Sequence, residues 1–467
     1  MKRIDALPDD VLLEIFVSYM DESLSYEGKT WIESWQSLLH VCRRWRTVVL
    51  GSPRRLNLQL YCTPKTPVRD ALNIWPALPL LVRGSMTSSS TDNIVAALGE
   101  SKRVSQVILE GLARKQLEEV LASMQVSFPE MTDLQLWSDD DRPPAIPDSF
   151  LDGSAPRLRI FRLDGIPFPG LVLSKLLLSA THLAHLMLTN IPHSGYISPE
   201  AVVVPISMLP GLEVLSLEFQ SPRSRPDLDS RSLSPPKRST LPALDVFDFI
   251  GVTEYLEELV TRIDAPKLNT MNISFFNQID FDCRRLAQFI NRTPTLKALD
   301  EAQVEFIDSV ASVIFRYQTS ESGHGELQLN IFCNEPDWQL SSIEQVCNSL
   351  RPLSTVEDLY IEHEYSELVW KNDAIENTLW LQLLLPFTAV KNLYLSKEFA
   401  PGVAAALKEL VGGITEVLSS LQNIFVEGLE SSGPFQKNIE QFVAARKLAD
   451  HPIVISDWDK GSDTESM

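Results

Sequence analysis

Few residues of this sequence have the types and spacing of a catalytic centre. Two segments join a histidine to a glutamate, GHGE at 323–326 and EHEY at 362–365. Each could supply a general base, but each adjoins an apolar, strand-like run, where a turn is the simpler interpretation. The sequence contains no H-E-x-x-H, G-x-S-x-G, P-loop or dinucleotide-binding glycine motif. We therefore expect no catalytic residue, no cofactor and no enzymatic activity of the chain itself.

The residue types that bind metals are also poorly placed. The five cysteines, at positions 42, 62, 283, 333 and 347, include no C-x-x-C pair. The acidic segment 138–149 has adjacent carboxylates rather than the alternate spacing of a calcium loop. This pattern predicts no metal site and free, mostly buried thiols. Free thiols are typical of a reducing compartment, so we expect a cytoplasmic or nuclear protein.

The charge balance excludes two classes of partner. The chain of 467 residues carries 41 lysines and arginines against 62 aspartates and glutamates, a net charge of −21. Residues 1–55 hold 8 of each sign, so the remainder holds 33 basic and 54 acidic residues and the whole excess. So acidic a surface argues against binding to nucleic acid or to an anionic membrane. The sequence contains no run of 18 apolar residues, so no membrane span is predicted.

A repeated apolar template organises the chain beyond residue 55. The template is L-x-x-L-x-L with other apolar residues allowed, and its step averages about 29 residues. The copies begin at Val104, Met131, Leu158, Leu183, Leu212, Leu244, Leu268, Leu296, Leu327, Val356, Val390 and Leu421. The copy at Leu296-Leu299 is degraded, the copy at Leu327-Leu329 lacks its first member, and the segments after Leu56 and Leu78 are irregular leading copies.

Each template predicts a short strand, followed by a turn and a helix. The alternation L-x-L buries one face of the strand. Gly111, Gly165, Asn190 and Gly428 follow the strands, where a left-handed backbone is expected. Helices are predicted over 171–182, 253–264, 283–294 and 343–353. The pattern resembles irregular leucine-rich repeats, which implies a right-handed solenoid with parallel strands on the concave side and helices on the convex side. An unrelated α/β domain is the alternative.

Three positions of each copy predict a surface for binding a client protein: the residue before the middle template residue, the residue between the last two, and the residue after the last one. They include four aromatic residues and several carboxylates, and Arg162 is the only basic residue among them. We predict that a basic client segment binds this face, with the aromatic residues as anchors. The named client-binding residues are Trp137, Asp164, Asp358, Tyr360, Glu362, Tyr394 and Phe425. Alternatively, the negative charge only keeps the array soluble.

The first 50 residues form a separate pattern of two apolar helices. In the segment LPDDVLLEIF at 7–16, Pro8 fits the first position of a helix, and Asp9 and Asp10 fit its first turn. The residues that follow them are almost all apolar. A second helix is predicted over 35–50, WQSLLHVCRRWRTVVL. Helices this short make a marginal core, so the surplus apolar surface is covered either by another protein or by the following domain.

These two segments, in this order, resemble an F-box over about residues 4–50. The resemblance implies docking on the Skp adaptor of SCF-type, cullin-based ubiquitin ligases. It implies Leu7 and Pro8 as the anchoring pair. The docking face, or the small core behind it, would comprise Leu12, Ile15, Phe16, Val41, Cys42 and Trp45. The link between the helices is longer than the family usually has, with an extra loop around Ser23–Lys29.

Three parts of the chain are expected on these grounds. Residues 1–52 are an F-box-like helical module, 53–437 a leucine-rich-repeat solenoid with a disordered insert near 220–242, and 438–467 a C-terminal cap with an acidic tail. The preferred interpretation is a non-catalytic substrate receptor of an SCF-type ligase. A scaffold that binds the adaptor without ubiquitinating clients, and a leucine-rich-repeat binding protein whose F-box resemblance has decayed, are the alternatives.

Overall fold

The computed structural model describes residues 7–22, 32–65, 67–75, 77–87, 90–226, 238–297, 299–307, 309–316, 325–350, 353–363, 376–410, 417–429, 434–448 and 450–459. The chain divides into two compact units, residues 1–183 and 184–467. The predicted loop at Ser23–Lys29, the central part of the 220–242 insert (227–237), His324 and tail residues 460–467 lie outside the described residues.

Unit 1 begins with three short helices and continues as parallel strands that alternate with helices. Its helices are α1 (Asp9–Glu22), α2 (Ile32–Leu39), α3 (Arg43–Gly51), α4 (Val68–Ile74), α5 (Asp92–Leu98), α6 (Arg114–Ser123) and α7 (Gly170–Ser179). Its strands are β1 (Leu60–Cys62), β2 (Leu80–Ser85), β3 (Val104–Glu110), β4 (Asp133–Trp137) and β5 (Ile160–Asp164). Each strand pairs in parallel with the next one along the chain.

Unit 2 continues the alternation of strand and helix. Its helices are α8 (Pro199–Ile206), α9 (Thr253–Val260), α10 (Arg284–Arg292), α11 (Pro336–Ser349), α12 (Asn377–Leu384), α13 (Ala400–Glu409) and α14 (Pro434–Leu448). Its strands are β6 (His185–Ile191), β7 (Val214–Phe219), β8 (Ser239–Thr240), β9 (Val246–Gly251), β10 (Ile263–Asp264), β11 (Thr270–Phe275), β12 (Glu301–Ile307), β13 (Val310–Arg316), β14 (Glu326–Phe332), β15 (Asp358–His363), β16 (Asn392–Leu395), β17 (Asn423–Glu427) and β18 (Val454–Trp458). Within the unit the main sheet runs β6-β7-β9-β11-β14-β13-β12-β15-β16-β17-β18.

The apolar template accounts for the core of both units. Except at Leu296-Leu299, every template residue of the twelve copies is 3% exposed or less. The expected left-handed turns are confirmed, with positive φ angles of 64°, 70°, 49° and 62° at Gly111, Gly165, Asn190 and Gly428. The three glycines come directly after a strand, whereas Asn190 lies within β6, at a register shift against β7. The structure is therefore an α/β array in which mostly parallel strands alternate with helices.

One strand contradicts the expectation of a wholly parallel sheet. β13 pairs antiparallel with both β12 and β14, so a hairpin is inserted into the array. The degraded copy Leu296-Leu299 forms no strand; the strand starts two residues later, at Glu301. β13 escapes the template because Ala311 to Phe315 are all buried, which removes the alternation that the template detects.

Two predictions at the N-terminus and one in the insert also need correction. The segment 35–50 is not one helix, because Cys42 adopts an extended backbone and its Sγ caps α3 by accepting from Trp45 N at 3.4 Å. Pro8 precedes the first helical residue rather than occupying it, and its carbonyl accepts from Leu12 N at 3.1 Å. The insert predicted as disordered over 220–242 ends in ordered chain, since β8 pairs with β10.

Candidate functional site

The N-terminal helices build a small aromatic core that also contacts the end of α4. Phe16 is fully buried, and its ring packs edge-on against Trp45 of α3 at 4.7 Å between centroids. Trp35 of α2 is also buried and packs edge-on against Trp75, at the end of α4, at 5.3 Å. The following repeat therefore buries part of the apolar surface of these helices.

A further part of that surface faces solvent. Val11, Ile15 and Tyr19 are 42%, 45% and 45% exposed. They recur every fourth residue along α1, so they form one continuous strip, which we name the α1 stripe. Glu14 and Ser18 line the same shallow groove. Val41, between α2 and α3, is 57% exposed. Neither the short core nor the next repeat covers these side chains.

Ion pairs from Arg44 and Arg55 hold the first half of α1, and one of them involves Glu14, which borders the stripe. Arg44 of α3 donates from Nη2 to Asp9 Oδ1 at 2.6 Å and to the Leu7 carbonyl oxygen at 2.5 Å. Arg55 donates to Asp10 Oδ1 at 3.2 Å and to Glu14 Oε1 at 2.5 Å. Exposed pairs of this kind add little stability each, but together they set the orientation of α1.

The predicted adaptor-binding residues separate into three groups by exposure. Leu12 and Phe16 are core residues. Pro8, Ile15 and Val41 are exposed, while Leu7, Cys42 and Trp45 are partly exposed. The predicted set omits Val11 and Tyr19, which the spacing of four residues from Ile15 could have identified.

The predicted client-binding residues of unit 1 already have a partner within the chain. Trp137 and Asp164 lie opposite each other on β4 and β5. The Arg162 guanidinium carbon lies 5.0 Å from the centre of the Trp137 ring, and its Nη2 lies 3.9 Å from Asp164 Oδ2. The Arg162 guanidinium therefore contacts both an aromatic ring and a carboxylate on the partly exposed face of the sheet. We name this face the solvent face.

Three predicted aromatic residues of unit 2 come together as the aromatic stack of Tyr360, Tyr394 and Phe425. They occupy matching positions on β15, β16 and β17. The Tyr360 and Tyr394 rings are 4.2 Å apart and 9° from parallel, and the Tyr394 and Phe425 rings are 4.6 Å apart and 11° from parallel. In-register parallel strands place equivalent side chains next to each other, which produces the stacking.

Carboxylates flank the aromatic stack along and across the strands. Asp358 and Glu362 lie two residues before and after Tyr360, and Glu301 lies opposite Asp358. Asp358 is only 7% exposed and accepts from Asn392 Nδ2 at 2.7 Å. Burial, followed by smaller effects of neighbouring carboxylates, raises the pKa of Asp358 and the pKa of Glu301. Burial also raises the pKa of Tyr360, and the neighbouring Tyr394, Glu301 and Asp358 raise it further.

Sequence reasoning missed Trp458 and Arg316 on this face. Trp458 ends β18 and is 7% exposed, and its ring packs at steep angles against Tyr360 and Tyr394, with centroid distances of 5.9 and 5.5 Å. Arg316 ends β13 and donates to Glu326 Oε2 at 3.1 Å and to Gln303 Oε1 at 2.9 Å. Trp458 lies in β18, beyond the last copy of the template, and Arg316 belongs to the inserted hairpin, so the repeat pattern pointed to neither.

The described residues were also compared with the requirements of a metal site and of a membrane-spanning helix. In that part of the chain, no cluster of three or more histidine, cysteine, aspartate or glutamate side chains could hold a metal ion. The described helices include none that is both long enough and apolar enough to cross a membrane. All five cysteines are free thiols, and four of them are buried. His363, at the end of β15, packs edge-on against Phe399.

Comparisons with known proteins add little to this geometry. No family model matches the chain, and no curated protein matches it. Among solved structures it is similar to the leucine-rich-repeat-containing protein LegL7 from Legionella pneumophila, with 13% identity over 82% of this chain and 97% of that chain. The TM-score of that match is 0.27, which is too low to support an argument about fold or function.

Proposed function

We propose that the chain is a non-catalytic substrate receptor of an SCF-type cullin ubiquitin ligase. The N-terminal helices dock on the Skp adaptor, and the solvent face of the repeats holds a client protein. The recruited enzymes then act on the client at high effective concentration. Such a receptor works in the cytoplasm or the nucleus.

The α1 stripe is the observation that carries the proposal. Three large side chains on one helix remain exposed although other residues of that helix are buried or held by ion pairs. Exposed strips of large apolar residues are typical of protein interfaces. The F-box resemblance of residues 4–50 supplies the identity of the partner, and the partly exposed Leu7 and Pro8 lie next to the start of α1.

Adaptor capture tests the first half of the proposal. Purified full-length chain should retain a recombinant Skp adaptor, and replacing both Leu7 and Pro8 with alanine should weaken that retention. Leu171→Ala is the matched control, because Leu171 is an exposed leucine of α7, away from α1. Equal adaptor retention by all three proteins would refute the docking proposal.

The second half concerns the client, for which charge complementarity favours a basic segment. Glu362 is partly exposed beside the aromatic stack, so Glu362→Lys tests the charge without disturbing a buried group. Asp358 is less suitable, because it is nearly buried and bonded to Asn392. Client capture from cells should fall with Glu362→Lys, and unchanged capture would argue that the charge serves solubility alone.

Client turnover separates a receptor from a scaffold. If the chain is a receptor, cullin inhibition should lengthen the lifetime of its captured clients. Unchanged lifetimes, together with intact adaptor binding, would favour a scaffold. A leucine-rich-repeat binding protein without a ligase role would capture clients and retain no adaptor. Proximity labelling with the intact chain and with a form lacking residues 1–50 compares these cases in cells.

A further inference from the structure

Ser221 lies in a short basic segment that follows β7. The segment reads Ser-Pro-Arg-Ser-Arg at 221–225. Ser221 is partly exposed, and Pro222 and Arg223 are exposed. The proline disfavours a helical backbone at Ser221, and a serine followed directly by proline is what proline-directed protein kinases accept. Neither the adaptor-binding nor the client-binding residues include this segment, so its chemistry is open to a separate role.

The turn at Ser221 brings hydrogen-bond donors close to its hydroxyl group. Arg223 N donates to Ser221 Oγ at 3.3 Å. Ser224 N donates to the Ser221 carbonyl oxygen at 3.2 Å and closes the turn. Arg225 Nε donates to the Pro222 carbonyl oxygen at 3.1 Å, so its guanidinium lies against the same turn. A phosphoryl group on Ser221 would therefore meet a backbone N–H and lie near a guanidinium.

The two arginines of the segment are available to such a group. The Arg223 side chain is exposed and makes no hydrogen bond or ion pair to any described residue. Arg225 Nη1 lies 3.5 Å from Glu254 Oε1, and the Arg225 side chain is 52% exposed. Exposed ion pairs of this kind contribute little stability. A phosphate carries more charge than a carboxylate and has three strong acceptor oxygens, so it can share Arg225 with Glu254 or displace it.

Ser221 differs from the two other described Ser-Pro pairs because it combines two features. At Ser198 the hydroxyl accepts from Ala201 N at 3.3 Å, but no arginine or lysine follows as far as residue 206. Ser52 is followed by two arginines, but no backbone N–H of the described residues donates to its hydroxyl, and Arg55 is already paired with two carboxylates of α1. Only Ser221 has both a backbone donor at its hydroxyl and an unpaired arginine two residues away.

We propose that Ser221 is phosphorylated by a proline-directed protein kinase and that Arg223 and Arg225 hold the phosphate. Ser221 Oγ attacks the γ-phosphorus of ATP, the bond from that phosphorus to the leaving ADP oxygen breaks, and the hydroxyl proton passes to the base of the kinase. The phosphate then accepts from Arg223 N and pairs with both guanidiniums. Arg225 lies between the phosphate and Glu254, so the modification ties the segment after β7 to α9. The proposal is independent of adaptor and client binding.

Phosphorus NMR of the full-length chain, after treatment with ATP and a cyclin-dependent kinase, tests both parts of the proposal. The resonance that is absent from Ser221→Ala belongs to the Ser221 phosphate. Its second pKa should be about 5.5 or below, whereas an unpaired phosphoserine has a second pKa of about 6, because nearby guanidiniums favour the dianion. Arg223→Gln combined with Arg225→Gln should return this pKa to about 6, and about 1 M salt should shift it in the same direction. Lys437→Gln, at an exposed lysine of α14, is the matched control and should leave it unchanged.

Mass spectrometry of proteolytic peptides should first locate a phosphate on Ser221. A peptide of residues 217–226 serves as the control for kinase activity. If the kinase modifies this peptide but not Ser221 of the folded chain, or if it modifies neither, the assignment of the site is wrong. A second pKa near 6 in the phosphorylated, unaltered chain would overturn the role of the two arginines. Ser221→Ala should keep the melting temperature of the unaltered chain, because Ser221 is a partly exposed turn residue, so its missing resonance reports the site and not misfolding.

Discussion

Ile15 and Phe16 are neighbours in sequence, and we expect their alanine substitutions to have opposite consequences. Ile15 is 45% exposed on the α1 stripe, whereas Phe16 is fully buried against Trp45. Ile15→Ala should therefore leave folding intact and weaken adaptor binding. Phe16→Ala should destabilise the N-terminal helices directly.

The magnitudes follow from the exposed areas. The exposed 45% of Ile15 is about 80 Å² of apolar surface, and its full burial by an adaptor would contribute about 2 kcal/mol. Alanine keeps part of that contact, so the expected loss is about 1.4 kcal/mol, or about tenfold in affinity. Phe16→Ala removes a fully buried ring, which typically lowers the free energy of unfolding by about 3–5 kcal/mol.

Two assays on the same purified variants separate these effects. Urea unfolding followed by circular dichroism reports stability, and calorimetric titration with the Skp adaptor reports affinity. Leu171→Ala should change neither, since Leu171 is 87% exposed on α7. The reasoning is refuted if Ile15→Ala binds the adaptor as tightly as the unaltered chain, or if it loses as much stability as Phe16→Ala.

Three further outcomes test the fold and its titrating groups. Gly165→Ala should lower the free energy of unfolding by about 2 kcal/mol or more, because Gly165 has a φ of 70° and a methyl group there would collide with the Ser138 carbonyl oxygen; an unchanged urea midpoint would contradict this. Burial raises the pKa of Cys283 and of Cys347, so native-state labelling with a thiol reagent should modify neither until urea unfolds the chain; modification of either at the rate of a free thiol would contradict the packing. Burial raises the pKa of Asp358 above its value in the unfolded chain. Ionising this carboxyl group in the folded state therefore costs free energy, and the cost grows as pH rises towards the folded pKa. Below about pH 4 the group is protonated in both states, and the cost is absent. The stability of the unaltered chain relative to Asp358→Asn should therefore increase as urea unfolding is moved from pH 7 towards pH 4, and a decrease would contradict the sign.

The regular part of the fold could be predicted from the sequence because each repeat carries its own local signal. Leu134 and Leu136 illustrate the strand, with alternating residues buried on one side and polar residues between them. Gly165 illustrates the turn, where a positive φ favours glycine. Such signals recur in almost every repeat and reinforce one another.

The hairpin and the break between α2 and α3 could not be predicted in the same way. β13 is buried on both faces, so its composition carries no alternation and no repeat period. Cys42 follows the end of α2 at Leu39 and caps α3 through its thiol, an uncommon capping group that the apolar spacing on either side conceals. In both cases tertiary packing overrides the local pattern.

The candidate sites were predicted in part, because a pattern gives the face of a strand but not what else reaches that face. Tyr360, Tyr394 and Phe425 could be aligned from the template alone, and the structure brings them into one stack. Whether a stacked residue is free or covered depends on a distant segment, as Trp458 demonstrates. Exposure of Val11 and Tyr19 likewise depends on how α2 and α3 pack against α1.

Calorimetric titration of the unaltered chain with purified Skp adaptor tests the central claim most directly. We expect a one-to-one complex with a dissociation constant below about 1 µM and a negative heat-capacity change, because the α1 stripe is apolar. Replacing Val11, Ile15 and Tyr19 together with serine should remove the heat of binding while the circular dichroism spectrum is kept. No binding by the unaltered chain, or equal binding by the triple variant, would contradict the claim that the exposed stripe of α1 is covered by a foreign subunit.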